Sequence, residues 1–156
     1  MESLKHRYAK EAVARWLREH FAPHPEYRVV VEFPVTLGPT GHVHGLLCNW
    51  GDRLHAPDYT PSYDECIANE WLPLVIFDVV VLLGDAVAFA YEIVHTNPIS
   101  PAKWAMIDRI AKVSVGPLAV GAVDAHWVLT QHERPQRWEM LDTRRYPGDP
   151  WKEVGE

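Results

Sequence analysis

A chain of 156 residues, 47% hydrophobic and 23% charged, is long enough for one domain with a single core. Its formal net charge of −6 excludes a protein that coats nucleic acid through a uniformly basic surface, and its two cysteines, Cys48 and Cys66, exclude a disulfide scaffold. No apolar run is long enough to span a bilayer, and the opening Met1-Glu2-Ser3-Leu4-Lys5-His6 carries no secretory stretch, so a cytoplasmic location is expected.

In chain order, residues 3–21 read as a helix. Ser3 is a suitable N-cap, and Leu4, Ala9, Ala12, Val13, Trp16, Leu17 and Phe21 make an apolar stripe that Pro23 and Pro25 terminate. Arg28–Leu37 reads as a strand in which Pro34 marks an edge or a bulge. Residues 38–61 are rich in Gly, Pro, His and Asp and show no period. Ser62-Tyr63-Asp64-Glu65 has the capping-box pattern for a short helix to about Ala68. Strands are expected at 74–83 and 86–96. Ser100-Pro101 then opens a helix to about Val113, and Ala125–Thr130 reads as a last strand. The tail from Gln131 is polar, with one short helix and an extended end expected. The domain is therefore a single unit over residues 1–156, with an insertion at 38–70 and an extension at 131–156.

The chemistry is concentrated in the two central strands. Asp78 and Glu92 each interrupt an apolar, strand-like run, and an unpaired carboxylate is costly to bury there. One acid per arm of a hairpin suits a hard cation such as Mg²⁺ or Mn²⁺, which takes carboxylate oxygens, water and substrate phosphate. The bland alternative is that both acids sit at strand ends, solvated or paired with Arg or Lys. Register separates the two readings. Leu83 opposite Val87 puts the acids on one face. Leu83 opposite Ala86, across a two-residue Gly84-Asp85 turn, puts them on opposite faces unless a bulge intervenes.

The order helix, three strands, helix, strand, with Asp78 on the second strand and Glu92-Ile93-Val94 on the third, resembles the PD-(D/E)XK nuclease-like superfamily. Glu2-Ser3-x-x-His6-x-x-x-Lys10 is similar to the helical motif of its CoiA-like branch. The likeness covers about residues 1–130. It implies an α/β, restriction-endonuclease-like core (αβββαβ) whose four-stranded mixed sheet is flanked by helices. It also implies a magnesium-dependent deoxyribonuclease in which Asp78, Glu92 and the backbone carbonyl of Ile93 hold the metal. Its partner would be nucleic acid, DNA in the first place, with no membrane and with a homodimer left open. The chain departs from the family at Val94, where a lysine is usual, so Lys10 or Lys103 has to serve, with Glu2 and His6 beside them. Otherwise the chain is a retired nuclease that binds nucleic acid or a protein partner. An unrelated α/β protein with a small ligand is the third reading.

Other residues carry weaker signals. Glu2, His6 and Lys10 recur at helical spacing and form one stripe, which on most helices is a solvated face. Lys103 opposes the dipole at a helix start, which suits either an unoptimised surface residue or a phosphate ligand. Thr96 and Asn97 suit a substrate contact or a turn. His42, His44, Cys48, His55 and Cys66 are zinc-type residues, but Cys66 has no closely spaced Cys or His, so a structural zinc is the less favoured reading. Trp16, Trp104 and Trp127 fall in expected elements and read as core. Trp50, Trp138 and Trp151 fall in loops, where they pack on the core or stack on bases. Arg134, Arg137, Arg144 and Arg145 are candidate phosphate contacts, diluted by Glu133, Glu139 and Asp142.

Overall fold

The Ser3 hydroxyl accepts the His6 amide at 3.1 Å, satisfying one of the donors that a helix start leaves free. In the computed structural model, which describes residues 3–37, 43–45, 74–84, 86–95, 98–113 and 118–146, helix α1 then runs Leu4–Phe21. Strands β1 (Tyr27–Leu37), β2 (Val43–Gly45), β3 (Leu74–Leu83) and β4 (Ala86–Val94) follow. Helix α2 (Pro101–Val113), strand β5 (Leu118–Asp124), helix α3 (Ala125–Thr130) and strand β6 (Met140–Tyr146) complete the chain order.

The six strands among the described residues join one sheet in the order β2-β1-β3-β4-β5-β6. Only β4 and β5 are parallel, with α2 as their crossover; every other pair is antiparallel. Each face carries its own core. Trp104, Ile107 and Ile110 of α2 pack with Val80, Leu82, Ala90 and Val120 on one side. Val13, Trp16 and Leu17 of α1, with Val128 of α3, pack with Val79, Val81, Ile93 and Val123 on the other. Among the described residues, no helix is long and apolar enough to cross a membrane.

The expected α1, β1, β3, β4 and α2 form within two residues of their predicted ends, and the α/β class holds. The four-stranded sheet does not. Strand β2 lies in the stretch that shows no period, and β6 lies in the polar tail, where an edge strand with exposed Leu141, Asp142, Thr143 and Arg145 shows no clean alternation. Ala125–Thr130 is a helix, not the last core strand. The Asp124 carboxylate accepts the Trp127 amide at 2.9 Å and caps it, outweighing the strand preference of Trp127, Val128 and Thr130. The core strand is the preceding Leu118–Asp124, which includes Gly121, a poor strand former. A Cβ there would meet the Met140 methyl, the far end of a flexible side chain that packs over the glycine. The capping-box helix and most of the insertion lie outside the described residues.

Two irregularities set the site. In β4, Leu83 pairs with Ala86 and Leu82 with Val87, but Val81 pairs with Phe89, so Ala88 is an extra residue. In β1 and β3, Val29, Val31, Val79 and Val81 pack on the α1 side, whereas Phe33, Val35, Val75 and Phe77 pack on the α2 side. Both strands therefore exchange faces at the opposed residues Glu32 and Asp78. Glu32 accommodates this with a φ of 55°, in the left-handed region that only glycine enters cheaply.

Candidate functional site

The two-residue turn at Gly84, whose φ is 61°, would by itself have sent Asp78 and Glu92 to opposite faces. The Ala88 bulge cancels that offset. Beyond it Val79 pairs with Tyr91, and continuing the register places Asp78 directly opposite Glu92. A bulge of this kind re-aims every side chain that follows it.

Asp78 is mostly buried, and its Oδ2 accepts the Ile93 amide at 2.7 Å. His6, from the first turns of α1, places Nε2 3.4 Å from the same Oδ2 and 3.0 Å from the Ile93 carbonyl oxygen. Glu92 is 5% exposed. Burial first, and the neighbouring Asp78 second, push its carboxyl up to about 8 against the opposing pull of Lys103. Lys103 reaches in from α2, with Nζ 2.8 Å from Glu92 Oε1 and 3.3 Å from the Ile76 carbonyl. The ammonium makes an ion-pair contact without hydrogen-bond alignment, because Glu92 Oε1 has no hydrogen-bond donor among the described residues. Both helices start at this end of the sheet, α1 on Ser3 and α2 on Ser100, whose hydroxyl accepts the Lys103 amide at 3.1 Å. Their positive ends favour anions here.

The expected residues divide clearly. Asp78, Glu92, His6, Lys103 and the Ile93 carbonyl come together. The buried Nζ of Lys10 lies 2.6 Å from Glu32 Oε1, on the strand next to Asp78. Glu2, Thr96, Asn97, His42, Cys48, His55 and Cys66 lie outside the described residues, as does the side chain of His44. Among the described residues no group of three or more His, Cys, Asp and Glu side chains could hold a metal ion. The donors available at the site are two carboxylates and a main-chain carbonyl. Val94 is half-buried and shares its strand face with Glu92, and the ammonium of Lys103 arrives on that same face.

Sequence reasoning missed Glu32. The signal was available, since Arg28-Val29-Val30-Val31-Glu32-Phe33 is an apolar run broken by one acid, the same pattern that singles out Asp78. It also missed the clasp between β6 and α2. There Arg144 donates to both Asp108 oxygens at 3.1 and 2.9 Å, Tyr146 donates to Asp108, and the guanidinium stacks 4.1 Å over Trp104. Trp16 and Trp104 are core as expected, whereas Trp127 is only half-buried. Trp138 packs edge-on to Trp16, with ring centroids 5.6 Å apart.

No family model matches the chain, and no curated protein or solved structure matches it either. The chemistry of the site therefore rests on its geometry. A carboxylate pair that shares one face, with one acid buried and held protonated near neutral pH, is a place where a cation would be stabilised. The fixed ammonium and imidazole beside it can hold an anionic ligand or move a proton.

Proposed function

We propose that this chain adopts a restriction-endonuclease-like fold of the PD-(D/E)XK type and hydrolyses phosphodiester bonds in DNA with Mg²⁺ or Mn²⁺. The observation that carries this reading is the bulge at Ala88, which brings Asp78 opposite Glu92 despite a turn that would separate them. The donor set fits a divalent cation. The buried Glu92 has the Lys103 ammonium 2.8 Å from its Oε1 and the Asp78 carboxylate beside it, so one ammonium faces two neighbouring acids. Asp78, Glu92 and the Ile93 carbonyl would hold it. When bound, it would supply charge neutralisation and a more acidic water.

The chain's own residues supply the rest. Lys103 offsets negative charge that builds on the phosphate, taking the role that Val94 cannot. His6 fixes Asp78 and the Ile93 carbonyl through its Nε2, and its imidazole is the titratable group nearest Asp78 Oδ2 on α1. The N-termini of α1 and α2 orient the phosphate group. A second reading, a retired nuclease that still binds nucleic acid, is favoured by Val94 and by the contact of His6 with the very carbonyl a metal would need. Incubation with single- and double-stranded DNA and Mg²⁺ or Mn²⁺, beside Asp78→Ala, decides between them. Cleavage by the wild type alone supports the nuclease, whereas DNA binding without cleavage supports the retired form.

A further inference from the structure

At the far end of α1 from the acids lies a cleft of about 850 Å³, within the size range of small-molecule sites. His20 lines it, and the fourteen helical steps from His6 to His20 span about 21 Å, so the cleft is separate from the carboxylate pair. Its floor is the part of the sheet beyond the end of α1, where Ala119 is small and the Met140 side chain covers Gly121. Four half-buried aromatic rings line it: Phe21, Phe89, Tyr91 and Trp138. Tyr91 and Trp138 are packed together, with centroids 5.3 Å apart, so two of these rings form one fixed surface.

The rim carries Arg134 and Arg145, both exposed. Neither has a carboxylate partner among the described residues, whereas Arg144 on the same cleft is committed to Asp108. Glu19 and Glu133 also line the rim and oppose the passage of a long polyanion. Flat rings beside two uncommitted guanidinium groups, in a space this size, match one planar base carrying one phosphate. We infer that this cleft is a nucleotide-binding site, with the base against the Tyr91–Trp138 surface and the phosphate on Arg134 and Arg145. The nucleotide is either free or an unpaired nucleotide of a strand. The inference stands without the nuclease reading, because binding here needs neither metal nor cleavage.

Calorimetric titration of the full chain in EDTA, with adenosine 5′-monophosphate, adenosine and a short single-stranded oligonucleotide, tests it. Saturable binding of the monophosphate or the oligonucleotide is expected. The double variant Arg134→Gln/Arg145→Gln, altered only at exposed side chains, should bind about tenfold more weakly or worse. Adenosine should show a similar deficit against its monophosphate. Monophosphate affinity equal to or above that of the oligonucleotide identifies a free nucleotide, and binding of the oligonucleotide alone identifies a strand; both uphold the site. No saturable binding of either, or a double variant within twofold of wild type, overturns it. Asp78→Asn should bind as wild type does, so loss of the nuclease reading would leave this result standing.

Discussion

Lys10, on the second turn of α1, is buried and Lys103, on the first turn of α2, is half-buried, yet the structure gives them different tasks. Lys103 contacts Glu92, whereas the Lys10 ammonium is held by Glu32. On the proposed nuclease reading, Lys103→Ala is therefore expected to lower kcat by about a hundredfold, the scale of one positioned charge at a phosphoryl centre, with little change in melting temperature. Lys10→Ala should do the reverse, costing stability by about 1–3 kcal/mol because a buried stem and a charged contact are lost together. Steady-state cleavage and denaturant melts on the two variants check this. Equal kcat losses would show that the two lysines do not divide in this way. Asp78, Glu92, His6 and Lys103 were legible because acids in apolar strands and a lysine at a helix start are each costly without a purpose. The choice between the two lysines was not legible, because it depends on which face β1 presents at Glu32.

At the scale of elements, the sequence carried most of the core and missed the edges. Helix α1 and strands β3 and β4 have long periodic runs with clear stops, so their ends are visible in the residues. Helix α3 is six residues of strand-type composition set by one cap at Asp124, and β6 is an edge strand held by the Asp108 clasp, so neither has a pattern to read. The Ala88 bulge is likewise silent in the sequence, and only the pairing of both neighbours shows it. The face exchange in β1 yields a prediction of its own. Glu32→Ala loses the contact to Lys10 and keeps the left-handed backbone, whereas Glu32→Gly loses the same contact and relieves that backbone. Left-handed φ costs an L-residue about 1–2 kcal/mol, and glycine's extra chain entropy returns about 0.5–1. Glu32→Gly should thus be the more stable of the two by about 0.5–1 kcal/mol in urea melts. A more stable alanine variant would mean that the exchange imposes no strain.

For the whole molecule, the buried acid couples the stability of the fold to pH in a direction opposite to that of most carboxylates. Glu92 titrates near 4.5 when unfolded and at about 8 when folded, because burial and Asp78 disfavour its charge. The folded state therefore holds this proton more tightly than the unfolded chain does. Its contribution is complete below about pH 4.5 and is lost progressively as pH rises towards about 8. In EDTA the melting temperature should fall across that window, while Glu92→Gln, which cannot ionise, should flatten the fall. A bound divalent cation favours the ionised pair, so Mg²⁺ or Mn²⁺ should raise the melting temperature most at the alkaline end, in wild type and not in Glu92→Gln. Thermal melts over pH 5 to 9, with and without metal, measure both effects. A profile identical in the two proteins would place Glu92 outside the titration, and an identical metal response would remove the carboxylate pair as the cation site. The fold's stability and the proposed chemistry draw on the same buried proton, so one set of melts tests them together.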